Sequence, residues 1–392
     1  MPRFEPVVPA PVDELIAALP KVELHVHLEG SMQPALLLEL AAKHGVAGLP
    51  ASLEAVHKWY EFRDFPHFID VYLAAVQTLR DHEDFALLVE QTASTLAAQN
   101  VRYAEVIVTL WLHLDRGIPA EHVFGGLERG RQTAERQWGI RLRWLADFPG
   151  HYGAACGERT LDAALEAGLD SVIGFNVGGI EVDRNQFAAV FDRARAAGLH
   201  SVPHAGETHG PDRIWSAIHR LGAERIGHGI RCLDDPTLVE YLRDTQLPLD
   251  VCPTSNWRTG AVPRGRPHPL PELLDAGLMV TLNSDDPPMF GTDLTNEYRV
   301  AYGLGLTPAD LADLARNGVR ASFLAQEEKL ALIAEIDEVS VQRRDGKKYN
   351  DKHDGQRQRA EYRDTIGERP GSDPADSEKY ASDDKEQHRP HW

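Results

Sequence analysis

Four short stretches of this chain carry histidines and carboxylates at spacings suited to a metal ion. The stretch Glu23-Leu-His-Val-His-Leu-Glu29 sets His25 and His27 two residues apart. In a strand, residues i and i+2 face the same side, so two imidazoles project together, as a transition metal requires. Val202-Pro-His-Ala-Gly-Glu-Thr208 offers a third imidazole, His204. Three residues later comes Glu207, a carboxylate able to move protons for an activated water. In Arg225-Ile-Gly-His-Gly229, glycines flank His228 and let other groups approach it closely. Thr281-Leu-Asn-Ser-Asp-Asp-Pro287 ends on the adjacent Asp285 and Asp286, which repel unless a cation or ligand offsets their charge. Asp285 can complete a shell with three histidines. Taken singly, each stretch has an ordinary explanation: half-buried histidines, a carboxylate at a helix start, a histidine filling space, or Asp before Pro in a turn. All four fall at strand ends on one predicted face, which favours a metal site over four coincidences.

The elements that position them are legible as alternating strands and helices. Apolar or β-branched runs predict strands at Val22–Leu28, Arg102–Val108, Ile140–Phe148 and Ser171–Gly179, then at His200–Ala205, Arg225–Gly229, Leu247–Pro253 and Leu278–Asp285. Between them lie segments with helical spacing, among them Gln33–His44, Glu83–Gln99, Ala120–Gln137, Arg184–Ala197, Pro211–Leu221 and Asp235–Asp244. Strict alternation implies parallel strands joined by crossover helices. Eight such units, with ionisable groups at several strand ends, imply an α/β fold of the (β/α)₈ TIM-barrel type, whose chemistry sits on its C-terminal face.

Two segments stand outside this repeat. Ser52–Phe68 is an insertion with Trp59, Tyr60, Phe62, Phe65 and Phe68, read either as packing or as a helical apolar lid. From Val339 onward large apolar residues become scarce, so the expected organisation is a barrel domain over 1–338 and a low-complexity, disordered tail over 339–392.

Composition narrows the function classes. A formal net charge of −19 argues against nucleic acid and anionic membranes as partners. No apolar run approaches the ~20 residues of a membrane span. Pro and acidic residues occupy the start, where a secretion signal would place a basic and then an apolar stretch. Three scattered cysteines, Cys156, Cys232 and Cys252, form no CxxC pair and leave metal binding to His and carboxylate. These features lead to the expectation of a cytoplasmic protein acting on a small molecule.

With these stretches in view, the chain resembles the adenosine deaminase family of the amidohydrolase superfamily from about Leu19 to about Asp337. The resemblance rests on LPKVELHVHLEGS, NVGGIE, HAGE, RIGHG, CPTSN and LNSDDP, in that order. It implies one zinc per chain, held by His25, His27, His204 and Asp285. It also makes Glu207 the acid/base that protonates purine N1, and His228 the group that orients the attacking hydroxide. Asp286 would hydrogen-bond N7 and the Gly179 amide would meet N3, with His27 and Glu29 also bordering the substrate. The implied reaction is hydrolytic deamination of a 6-aminopurine nucleoside, with adenosine as the default substrate. Glu29 stands where adenosine-specialised members carry Asp, and CPTSN departs from their CPWSS-like stretch. These departures keep free adenine and aminodeoxyfutalosine open as alternatives. Rival expectations are a dinuclear amidohydrolase, for which no strand-end lysine offers itself after Ala104 or Asp147, and an inactive nucleoside-binding relative.

Overall fold

β1 (Lys21–His27) is buried throughout its length although Lys21, Glu23, His25 and His27 alternate with its apolar residues, so these polar groups need partners inside the fold. The computed structural model describes residues 6–263 and 265–345. Within them, β1 is followed by β2 (Val101–Val108), β3 (Arg141–Pro149), β4 (Val172–Gly178), β5 (His200–Ser201), β6 (His204–Ala205), β7 (Ile226–His228), β8 (Leu249–Val251) and β9 (Val280–Leu282). All pairings are parallel, running β1 to β5 and β6 to β9 in order.

The two runs form one closed barrel. Pro203 has no N–H and divides the predicted fifth strand into β5 and β6. Hydrogen bonds from Val202 N to the Phe175 carbonyl (3.1 Å) and from Gly227 N to the Pro203 carbonyl (3.0 Å) carry the pairing across that gap. At the other seam Val26 bridges to Asp285, with His27 N to Asp285 O and Asp285 N to His25 O both at 2.9 Å. The expected eight-stranded barrel is therefore the fold.

The first four strands lie close to their predicted bounds, whereas the last three are shorter than read. The cause is local. His228 and Asp285 adopt φ of +62° and +65°, left-handed values that turn the chain out of the sheet. Such residues cost ~1–3 kcal/mol each and persist where the surroundings over-determine them. The outer helices follow the reading closely: His82–Ala98 begins with a reciprocal capping box between Asp81 and Asp84, and Ala120–Trp138 ends at Gly139 in the left-handed conformation.

The insertion after β1 forms the helices Leu53–Trp59 and Phe65–Val76, capped by the Ser52 and Asp64 side chains. Its aromatics divide between the two roles foreseen for them. Tyr60 and Phe62 are buried, with Phe62 edge-on to Phe68 and Phe290, while Phe65 and Phe68 face the cavity at the mouth of the barrel. The last helix, Gln326–Asp345, runs past the boundary drawn at Val339. The tail expectation for the remaining residues falls outside the described chain. Among the described residues, no helix is long and apolar enough to cross a membrane.

Candidate active site

Alternation along the strands sets what enters the barrel. His25 and His27 from β1 and His204 from β6 all project into its upper interior, where Asp285 meets them across the closing seam. His27 Nε2 lies 3.3 Å from His204 Nε2 and 3.4 Å from Asp285 Oδ1, and His25 Nε2 lies 3.6 Å from the same oxygen. Both ring nitrogens of His25 are buried and without a hydrogen-bond partner among the described residues. That arrangement is expensive in a folded protein unless a further group binds there. Burial first, then neighbouring imidazoles, hold His25 and His204 well below the usual histidine range, which favours the neutral form that ligates metals. Three neutral imidazoles and one carboxylate suit Zn²⁺.

Hydrogen bonding separates ligand-ready histidines from donor histidines. His204 Nδ1 faces Asn176 Oδ1 at 3.1 Å, and an amide oxygen only accepts, so Nδ1 carries the proton and the Nε2 lone pair points at the cluster. His228 is set the opposite way. The Leu270 amide donates to His268 Nδ1 (3.0 Å), leaving His268 Nε2 to donate to Asn256 Oδ1 (3.0 Å). Asn256 Nδ2 then donates to His228 Nδ1 (3.1 Å). A backbone N–H thus fixes the series, and the His228 proton sits on Nε2, which is 3.7 Å from both Glu207 Oε2 and Asp285 Oδ2. His25, His204 and His228 are close enough to share an ion, but this tautomer makes His228 a donor. A further grouping joins His25 and Asp285 to Cys252, whose thiol burial holds well above its usual range.

Glycines open the space these groups use. A Cβ on Gly227 would lie 2.8 Å from His25 Cε1, and one on Gly30 would fall 1.7 Å from Asp286 Oδ1. The glycine of the HLEG motif is thus required by the Asp286 carboxyl.

Above the cluster lies a cavity open to solvent, with about 660 Å³ of empty space once its mouth is included. His27, His204, His228 and Asp285 form its floor, with Glu207, Asp286 and Gly179 around them. Phe65, Phe68, Ile69, Leu73 and Leu112 supply apolar wall. Burial pushes the Glu207 carboxyl above its usual range against the pull of His228, and Thr259 Oγ1 donates to it at 3.3 Å. Burial, then the adjacent Asp285, holds Asp286 well above the carboxylate range, favouring a form that can donate to a ring nitrogen.

Of the residues singled out in the sequence, His25 lies beneath the floor and Glu29 stands behind the wall. Glu29 Oε1 accepts from His113 Nε2 (2.8 Å) and Thr109 N (3.1 Å), and its Oε2 from Tyr72 OH (3.3 Å). Burial alone would raise its pKa, but these hydrogen bonds outweigh it and the carboxylate stays ionised. Glu29 is expected to border the substrate; in the structure it does not line the cavity, and both its oxygens carry hydrogen bonds within the wall. Several supporting residues were not singled out: Ser255 Oγ donates to Asp285 Oδ2 at 2.5 Å, and Glu181 accepts from the amides of Gly206, Thr208 and His209. Ser255, Asn256 and Glu181 lie inside CPTSN and NVGGIE, so the motifs carried a signal. Tyr72, Thr109, His113 and His268 gave none.

A closed parallel barrel with an imidazole–carboxylate cluster at the C-terminal ends of its strands is the arrangement of the amidohydrolase kind of enzyme. The comparisons with known proteins narrow this. The chain belongs to the adenosine deaminase family, whose model matches residues 20–339. It is 48% identical over 338 residues to the aminodeoxyfutalosine deaminase of Streptomyces coelicolor, covering 85% of this chain and 87% of that protein. The adenine deaminase of the same organism is 40% identical over 323 residues, covering 82% and 94%. The crystal structure of an adenine deaminase from Arthrobacter aurescens matches with a TM-score of 0.79 at 34% identity, covering 82% of this chain and 99% of that one. The protein is therefore a deaminase.

Proposed function

We propose that the protein is a zinc-dependent deaminase of 6-aminopurine nucleosides, with aminodeoxyfutalosine as the first candidate substrate. The observation that carries the reaction is the placing of two buried carboxyls, Glu207 and Asp286, on one cavity beside the cluster of His25, His27, His204 and Asp285. Those four residues would hold the zinc, which supplies Lewis acidity and hydroxide at neutral pH.

The residues of the chain do the rest. Asp286 donates to N7 and the Gly179 amide to N3, which fixes C6 over the cluster. Glu207 takes a proton from the attacking water and delivers one to N1, so the ring loses aromaticity and C6 becomes tetrahedral. His228, a donor at Nε2, steadies the oxygen as charge develops. Return of a proton to the exocyclic nitrogen releases ammonia and leaves the 6-oxo purine.

Two observations move the substrate away from the expected default of adenosine. The relatives carry the names of the alternatives, and the aminodeoxyfutalosine deaminase is more similar to this chain than the adenine deaminase of the same organism. The apolar wall from Phe65 to Leu112 also suits a bulky group carried on the sugar, which a free base lacks. Adenine deamination is the second reading, favoured by the Arthrobacter structure and by the withdrawal of Glu29. A cytoplasmic location belongs to this proposal and is supported by the three free, buried cysteines.

Ammonia release from adenosine, 2′-deoxyadenosine, adenine, 5′-methylthioadenosine and aminodeoxyfutalosine, with and without a zinc chelator, tests the reading. Chelator-sensitive turnover should be fastest with aminodeoxyfutalosine. A chain that holds zinc yet releases ammonia from none of them overturns the purine assignment.

A further inference from the structure

One polar side chain on the cavity wall has no task in the reaction above. Asp147 lies near the end of β3, in register with Asn176 of β4, and lines the cavity. It is 2% exposed, and its Oδ1 has no hydrogen-bond partner among the described residues. That oxygen lies 3.3 Å from the point where a Cβ on Gly178 would stand, with the His204 ring 3.5 Å from the same point, so it borders the cavity at Gly178, the residue before Gly179. A buried carboxylate oxygen left unpaired is unfavourable unless a ligand donor reaches it.

Glu29 provides the contrast. Its two oxygens are taken by His113, Thr109 and Tyr72, and it does not line the cavity. Thr109 connects the two acids: its N–H goes to Glu29, while its hydroxyl lies beside Asp147. The acid of the HLEG motif is a brace for the wall, and Asp147 is the acid left facing the ligand.

Position on the purine then decides what Asp147 meets. If Gly179 meets N3, the group next to it faces the edge of the nucleoside that N3 shares with N9 and the sugar. The 2′-hydroxyl lies on that edge. Resting on the deaminase reading above, we infer that Asp147 is a substrate-binding residue that accepts hydrogen bonds from the sugar hydroxyls and so selects ribosides over the free base. A buried acceptor built for a hydroxyl penalises analogues that lack it, because the acceptor is then desolvated and left unpaired.

The test compares wild type with Asp147→Asn and Asp147→Ala on adenosine, 2′-deoxyadenosine, 3′-deoxyadenosine, adenine and aminodeoxyfutalosine. Compounds that are not turned over are read as competitive inhibitors. Zinc content and thermal melts report whether each variant is folded, and the Asn variant keeps the shape of the wild-type side chain. The wild type should prefer ribosides to adenine. In the variants the kcat/KM ratio of riboside to adenine should fall by about 10- to 10²-fold, chiefly through KM, with 2′-deoxyadenosine losing least among the nucleosides. An unchanged ratio, or an equal loss on every substrate, overturns the inference and gives Asp147 a structural role only. Wild-type preference for adenine overturns it too, while leaving the deaminase reading intact. No turnover of any 6-aminopurine by wild type would remove that reading, and this one with it.

Discussion

The barrel interior holds two polar layers that are treated in opposite ways. In the lower layer Arg225, fully buried, sets Nε 2.6 Å from Asp250 and Nη2 2.7 Å from Glu105. It also donates to the carbonyls of Ala321 and Leu24, while Thr281 Oγ1 donates to Asp250 and the Phe323 amide to Glu105. Leu24 immediately precedes His25, so the second layer begins one residue higher. There the His25 nitrogens and Asp286 Oδ1 are buried with no hydrogen-bond partner among the described residues. One chain thus pairs its buried acids with a guanidinium at one level and leaves imidazole lone pairs open just above it. Buried polar groups are satisfied as a rule, so open ones mark the level where something else binds. The lower layer is structure and the upper layer is site.

The largest way to break this contrast is to remove an open group. His25→Ala should lose zinc, and turnover should fall by at least ~10³-fold, because metal activation supplies several kcal/mol and each ~1.4 kcal/mol is tenfold. Glu207→Gln is the companion: zinc content should stay at wild type while kcat drops by ~10²-fold or more. Metal analysis beside steady-state rates separates the two, and full zinc with normal rate in His25→Ala would sink the ligand assignment.

In the lower layer the expected loss is of stability. Arg225→Met leaves Glu105 and Asp250 as uncompensated carboxyls in the core, which should cost about 3–5 kcal/mol in chemical denaturation. Neutralising both acids at the same time, with Glu105→Gln and Asp250→Asn, should recover much of that. A cost under ~1 kcal/mol for Arg225→Met alone would show that the lower layer is not the electrostatic anchor described here.

The same contrast governs what the sequence made legible. The upper layer was readable because its residues sit in short motifs at strand ends, where HxH, HAGE, GHG and the paired aspartates announce themselves. The barrel was readable because strand and helix periods alternate along the chain, with one insertion after the first unit. The lower layer was not, since Arg225 opens a predicted strand and a lone arginine there reads as solvent-facing until Glu105 and Asp250 arrive from distant segments. Glu29 was legible as an acid in a motif but not as a brace, because His113 and Tyr72 approach it from two other segments. The ends read for β7 and β9 were overextended for a related reason: the left-handed φ at His228 and Asp285 is rare for such residues and carries no signal in the sequence.

The smallest expected effect concerns the series that joins the site to its scaffold. Leu270, His268 and Asn256 hand one proton orientation to His228. Burial, with His228 nearby, pushes His268 down to about 3, so it stays neutral at any working pH and the orientation does not switch. Asn256→Leu removes the donor to His228 Nδ1, freeing the ring to take either tautomer and to offer Nε2 as a lone pair. Residues in this supporting position typically change activity by ~10- to 10²-fold. The loss should fall on kcat, with KM and zinc content nearly unchanged, since His228 acts on the developing charge. A loss confined to KM would place Asn256 with the substrate contacts. Asn256→Asp, which keeps the shape but offers only an acceptor when ionised, should force the proton onto His228 Nδ1 and favour its protonated form. Its pH–rate profile should then shift relative to wild type, and an unshifted profile would mean that Asn256 fills space without setting the tautomer.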